Sequence, residues 1–425
     1  THLVLDTASP ELPLYQVPLT ERVSPLAGGE QAIVGIGAGD LFVYDAPHDP
    51  AYARALLDFI LGRGVSPAAG DVDASARGQT LPAGAANSAT GSVAASRVLS
   101  GEQSNTSIIF DTVDATGSAA RPVICKVFRA VHHGKNPDVA VQAALAQAGS
   151  RFVPTPLGCV VGEWDDPGRA VGRATGHLAF AQEFLPGAPD AWRVALLAAE
   201  SGTDFSAEAR ALGEATASVH ADLATAMPTR EATEEFTASV YQGMRDRLHA
   251  AVAEVPDLAA YAPAIDVVFG RVKSASWPAL QRIHGDYHLG QVLHAPGRGW
   301  ILLDFEGEPL RAMHEREQPD VTLRDLAGML RSFAYAAGTV QMEHPERDPA
   351  AAGHWASACR RAFLEGYADV AGKDPRGQGE LLDAFELDKA VYETVYETRN
   401  RPGWLPIPLS AIGSLVTAHV NKASD

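Results

Sequence analysis

Cysteine is scarce in this chain. Cys125, Cys159 and Cys359 are its only three, odd in number and far apart, which argues against a disulfide framework or a zinc cluster and fits a reducing compartment. Basic charge is short as well: 34 Lys and Arg stand against 52 Asp and Glu, a formal net charge of -18. A nucleic-acid partner would need a basic face, so none is expected, whereas a neutral or cationic small molecule suits this balance. No run of about eighteen apolar residues occurs, and Thr1-His2-Leu3-Val4-Leu5-Asp6 has no basic segment leading into an apolar core. A cytoplasmic protein that is neither exported nor membrane-spanning is therefore expected, and it is taken to be a monomer without a membrane partner.

What is present reads as an ordinary globular chain, with 46% hydrophobic and 20% charged residues. Its 425 residues exceed one core, and composition divides them into a small α/β unit over 1–92, a β-rich part over 93–185 and a helical part over 186–425. In the first part, strand-like runs at Leu14 to Val17, Gln31 to Ile36 and Leu41 to Tyr44 precede a helix that Asp49 caps and Pro50 opens. From Pro67 to about Ser92 the residues are mostly Ala, Gly, Ser and Asp, which predicts a linker or mobile loop.

The most informative stretch is Arg282 to Leu293. A short strand delivers a His284-Gly285-Asp286 turn, Gln291 follows five residues after Asp286, and a second apolar strand, Trp300 to Leu303, ends on Asp304. Transfer of a terminal phosphoryl group needs a carboxylate beside the attacking hydroxyl and oxygen ligands for the magnesium on the phosphates. Asp286 suits the first role, Gln291 and Asp304 the second. A hairpin with ordinary turn aspartates would explain the Asp286 triplet alone, but the combined spacing matches a kinase catalytic loop followed by a metal-binding Asp, with Gln in place of Asn.

Upstream, no GxGxxG is found. Instead Ser104, Asn105 and Thr106 lie between two strand-like runs, small and polar enough to let backbone N–H groups approach phosphates, although a plain hairpin reads the same way. Lys126 is set among apolar neighbours in Pro122 to Arg129 and needs a partner or a ligand, which makes it the candidate for the nucleotide phosphates. The helix that follows, opened by Asn136-Pro137-Asp138, lacks any Glu to pair with it. Asp138, Gln142 or the nucleotide alone are the open alternatives. The apolar strand from His177 to Leu185, with Gln182, Glu183 and Phe184, sits where a kinase has its adenine hinge, or is an edge strand. Downstream, Ala207 to Leu223 and Glu231 to Val255 read as helices, and Thr322 to Phe333 as an amphipathic one whose Asp325 braces the catalytic turn or simply serves the helix dipole. On the last informative helix, Lys389, Tyr392, Glu393, Tyr396, Glu397 and Asn400 share one face, suited to a sugar's hydroxyls and ring, or else merely solvated. Trp404 follows in a Pro-rich loop, as a pocket wall or as packing.

These blocks, namely Glu102 to Ser107, Lys126 to Arg129 with Asn136 to Asp138, Gln182 to Phe184, His284 to Leu293, Asp304 to Pro309, Leu323 to Phe333 and Asp388 to Pro408, together resemble the actinobacterial maltokinase-like family. That family is related to the aminoglycoside phosphotransferases and the eukaryotic-type kinases. The resemblance implies an α+β, bilobal protein-kinase-like fold with an N-terminal α/β cap subdomain, and ATP with magnesium between the lobes. It implies Asp286 as catalytic base, Gln291 and Asp304 as Mg2+ ligands, and a sugar acceptor near His288. Ala140, Val321-Thr322 and Ala334 depart from what a maltokinase carries, which favours the related glucosamine kinases acting on the 6-hydroxyl. An ammonium on the sugar would find Glu306, Glu308, Glu393 or Glu397. Maltose phosphorylated to maltose 1-phosphate is the alternative, followed by an aminoglycoside substrate or an inactive kinase-like binding protein.

Overall fold

The computed structural model describes residues 1–9, 13–66, 74–82, 91–99, 105–165, 173–308 and 313–422. Ser104 lies outside them. The chain forms two compact units, Thr1–Gly149 with Val153–Pro186, and Ser150–Phe152 with Gly187–Asp425.

The first unit is built on a seven-stranded antiparallel sheet in the order Val65–Ser66, Ser75–Thr80, Pro156–Asp165, Arg173–Glu183, Val123–Phe128, Asn105–Val113, Ser92–Val98. Period-two alternation sends Val123, Cys125 and Val127 into one core with Leu57 and Ile60 of helix Pro50–Leu61. Phe128, Phe180 and Cys159 pack in a second cluster with Val139 of helix Pro137–Gln147. Lys126, between Cys125 and Val127, is thereby turned to this second face. Both helices start as their sequences imply: the Asp49 carboxylate accepts from Ala51 N–H at 2.9 Å, and Asn136 accepts from Asp138 N–H at 2.9 Å.

Two expectations are corrected here. The Ala/Gly/Ser-rich segment is no continuous linker, because Ser75–Thr80 is an inner strand of the sheet, paired on both sides. A Cβ at Gly78 would lie 1.9 Å from the Phe59 carbonyl oxygen, so the strand needs glycine where helix Pro50–Leu61 rests on its backbone. The second concerns Arg173–Glu183, which is not an edge strand: it pairs with both Val123–Phe128 and Pro156–Asp165. Nearer the N-terminus, Leu14–Val17 pairs with His2–Leu5 and with Ala130–Val131, while Leu19–Arg22, Phe42–Asp45 and Ile33–Ile36 form a separate small sheet. The expected start of the last strand, Glu30–Ala32, is a 3-10 turn.

The second unit is mostly helical. Leu323–Glu343 is its buried axis and packs against Ala191–Ser201, Pro349–Ala371 and Gly379–Asn400. The expected helices run Ser206–Ala226 and Glu234–Glu254. Val292–Ala295 and Gly299–Leu302 form the predicted hairpin. No strand leads into the His-Gly-Asp turn: Leu280 and Gln281 make only isolated bridges to Arg230 and Asp320.

Candidate active site

The turn at 284–286 is held by its backbone. Asp325, buried on the first turn of Leu323–Glu343, accepts from His284 N–H at 2.8 Å and Gly285 N–H at 2.9 Å, so it braces the loop rather than only serving the helix dipole. His220 Nε2 lies 3.0 Å from the same carboxylate, and its Nδ1 lies 3.0 Å from the Tyr367 hydroxyl. Gly285 has a φ of 86°, and Gly328 lets the helix approach so closely that a Cβ there would sit 2.4 Å from the Tyr287 carbonyl oxygen. His284 donates from Nε2 to Leu303 O at 2.7 Å, tying the turn to the end of the second hairpin strand. Leu289 N–H donates to Ser332 Oγ at 3.1 Å, and His288 Nδ1 accepts from Gly290 N–H at 3.1 Å.

Asp304 follows that strand in a left-handed conformation, φ 61°, which non-glycine residues rarely adopt. Gln291 Nε2 donates to its Oδ2 at 3.3 Å, and Leu303 N–H donates to Gln291 O at 2.9 Å. Gln291 and Asp304 thus stand side by side, and an amide and a carboxylate both carry oxygens of the hard donor class that fits magnesium.

Asp286 opens into a cavity of about 390 Å³ lined also by His288, Lys389, Tyr392, Glu393, Tyr396, Glu397 and Trp404. All five residues from Lys389 to Glu397 on the predicted helix face therefore line one pocket, and the face is not merely solvated. Asn400 is exposed and donates to Tyr396 O. Lys389 Nζ donates to Asp286 Oδ1 at 3.3 Å and to Glu308 Oε1 at 3.1 Å, and lies 4.7 Å from the centre of the Tyr392 ring. Burial pushes the Asp286 carboxyl up, yet the Lys389 ammonium, helped by His288 and His284, carries it below its ordinary value. The same ion pairs raise Lys389 against burial. Burial lowers His288 and lifts the Tyr392 hydroxyl to about 12.

The two pocket glutamates differ. Glu397 is fully engaged: Oε1 accepts from the Tyr335 hydroxyl at 3.2 Å and Arg401 Nη2 at 2.7 Å, and Oε2 accepts from Arg401 Nε at 3.0 Å. Glu393 accepts two N–H groups of the buried Arg331 on Oε2, at 2.9 and 2.8 Å, and its Oε1 has no hydrogen-bond partner among the described residues. Burial raises the Glu393 carboxyl despite Arg331. Glu306 is not on the wall of this cavity, and Glu308 lines a smaller one beside it with Arg247 and Asp388.

Sequence reasoning missed Arg331, Tyr335 and Arg401. The i, i+4 spacing of Arg331 and Tyr335 on an apolar helix was their one signal, and it does not reveal a partner 62 residues away. Arg401 stacks over Trp404 at 4.4 Å and over Tyr396 at 5.6 Å, which fixes both as aromatic walls.

In the first unit, Lys126 Nζ donates to Asp138 Oδ2 at 2.9 Å, and Gln142 Nε2 donates to Asp138 Oδ1 at 2.7 Å. The partner left open in the sequence is Asp138, with Gln142 steadying it. Thr106 Oγ1 accepts from Arg129 Nε at 2.8 Å, and Asn105 stands opposite Phe128 in the sheet. Gln182 Oε1 is buried with no partner among the described residues. Glu183 Oε2 accepts from Thr155 N–H and its hydroxyl, both at 3.1 Å, and Phe184 N–H donates to Pro122 O at 2.9 Å. The Glu183 side chain is thus spent within the lobe.

Comparison with known proteins adds to this geometry. A family model described as "Phosphotransferase enzyme family" matches residues 97–377, and one described as "Maltokinase N-terminal cap domain" matches residues 1–49. A glucosamine kinase of Streptacidiphilus jiangxiensis is 32% identical over 281 residues, 63% of this chain and 62% of that protein, so the match spans less than two thirds of that relative's length. A glucosamine kinase of Mycolicibacterium smegmatis is 28% identical over 352 residues, 75% of this chain and 79% of that one. A solved glucosamine kinase in complex with glucosamine, ADP and inorganic phosphate superposes with a TM-score of 0.63 at 23% identity, covering 79% of this chain and 97% of its own. Crystal form A of a glucosamine kinase gives a TM-score of 0.68, also at 23% identity, over 96% and 87%. The chain shares their fold.

Proposed function

Because the chain belongs to the phosphotransferase enzyme family, with a maltokinase-type cap at its N-terminus, we propose that it is an ATP-dependent sugar kinase whose acceptor is glucosamine, phosphorylated at the 6-hydroxyl. One observation carries the choice of an amino sugar: the cavity that holds Asp286 also presents Glu393 Oε1, a carboxylate oxygen with no hydrogen-bond partner among the described residues. A largely but not fully buried carboxylate whose pKa burial raises gains most from a cationic ligand. Two similar proteins named glucosamine kinase support the same reading.

In the reaction, the sugar ring packs against Tyr392, Tyr396 and Trp404. Its primary hydroxyl meets Asp286, which orients it and accepts its proton as the oxygen attacks the terminal phosphorus and the bond from that phosphorus to the bridging oxygen breaks, releasing ADP. The depressed pKa keeps Asp286 ionised for that task. Lys126, held by Asp138, takes the nucleotide phosphates. Gln291 and Asp304 would hold magnesium, which when bound neutralises charge on those phosphates. Asp325 keeps the loop in place throughout.

A coupled ADP-release assay over glucosamine, glucose, N-acetylglucosamine and maltose tests this reading. Glucosamine is expected to show the highest kcat/KM, and phosphorus coupling to the C6 protons in the product spectrum identifies the hydroxyl. Turnover of maltose equal to or above that of glucosamine overturns it.

A further inference from the structure

Residues 1–49 match a cap domain, and their contacts converge on the segment that follows the Lys126 strand. Leu14–Val17 pairs with Ala130–Val131, and the buried Gln16 amide donates to Phe128 O and Leu178 O, both at 2.9 Å. Between these points sits Arg129. Its Nη2 donates to Asp45 Oδ2 at 2.6 Å, at the end of the cap strand Phe42–Asp45, and its Nε donates to Thr106 Oγ1 at 2.8 Å, at the start of Asn105–Val113. One planar guanidinium therefore joins a cap carboxylate to the hydroxyl of Thr106, one of the small polar residues proposed to meet the phosphates. Both charged side chains are about three-quarters buried, where such a pair is screened less than at the surface.

We infer that Arg129 is a positioning residue for the nucleotide: through Asp45 the cap fixes Thr106, and so the approach of Asn105 and Thr106, at the start of their strand, to ATP. This rests on the kinase reading for the role of Thr106, but not on the identity of the sugar. The fork matters, because an ammonium can pair with Asp45 or reach Thr106 but lacks the planar pair of donors that spans both.

The test is ATP affinity of the full chain without sugar, by titration calorimetry, for wild type, R129Q, R129K, D45N and the R129Q/D45N double variant. R129Q and D45N are expected to weaken ATP binding roughly tenfold, the low end of what loss of a charged hydrogen bond costs. The double variant should be no weaker than the worse single one, since both break the same link, and R129K should fall between wild type and R129Q. In steady state the rise should appear in KM for ATP and not in KM for the sugar. Unchanged ATP affinity in folded R129Q and D45N overturns the inference. So does an equal rise in both KM values with a lowered melting temperature, the signature of a structural role alone. A wild-type chain that binds ATP yet phosphorylates no sugar contradicts the proposed function, while the variant affinities still decide the relay.

Discussion

At the scale of single residues, the pairing of Asp286 with Lys389 sets the acid limit of the proposed reaction. Asp286 must be ionised to accept a proton, and its pKa lies below the ordinary carboxylate value because Lys389 outweighs burial. The sign follows directly: the active form persists as pH falls and is lost only when pH passes through that depressed value. In K389M burial is opposed only by His288 and His284, so the acidic limb of the kcat/KM profile should move to higher pH. A limb that stays in place would show that Lys389 does not tune Asp286. Glu397 and Glu393 make the same point in another way. They sit four residues apart on one helix face, yet Arg401 and Tyr335 occupy both oxygens of the first and Arg331 only one oxygen of the second.

At the scale of elements, helix Leu323–Glu343 holds the loop that carries Asp286. Asp325 accepts two backbone N–H groups of the turn, and Ser332 accepts a third from Leu289. D325A leaves buried donors unpaired and frees the turn, so about 3 kcal/mol of stability should be lost in chemical denaturation. The turnover number should fall on the order of 10-fold to 100-fold, since a misplaced catalytic group loses about that much. Wild-type kcat in a folded D325A would remove the brace from the account.

What was legible in the sequence divides along the same line. The hairpin and the closeness of Gln291 to Asp304 could be read because they lie within about twenty residues of chain. The partner of Lys126 could not, since Asp138 and Gln142 both lie on the right helix and only side-chain geometry separates them. The pairing of Arg331 with Glu393 spans two helices and leaves no local mark. Ser75–Thr80 was hidden because its stability comes from backbone pairing and a close helix over Gly78, not from large apolar side chains.

At the scale of the whole molecule, the first unit offers the Lys126 and Asp138 pair with the cap linked to it, and the second offers Asp286 and the cavity proposed to take the sugar. A net charge of -18 favours a cationic acceptor over a neutral one, though only as a broad bias. Selectivity must come from a particular contact, and the proposed one is between the sugar ammonium and Glu393. An ammonium to carboxylate hydrogen bond is worth about 1.5–3 kcal/mol, or roughly 10-fold to 100-fold in relative kcat/KM. The most direct measurement is the ratio of kcat/KM for glucosamine to that for glucose, in wild type and in E393Q, where Gln can still accept from Arg331. The predicted result is a high ratio in wild type that falls at least about tenfold in E393Q, chiefly through glucosamine. An unchanged ratio, or equal losses for both sugars, would contradict the claim that this carboxylate selects an amino sugar.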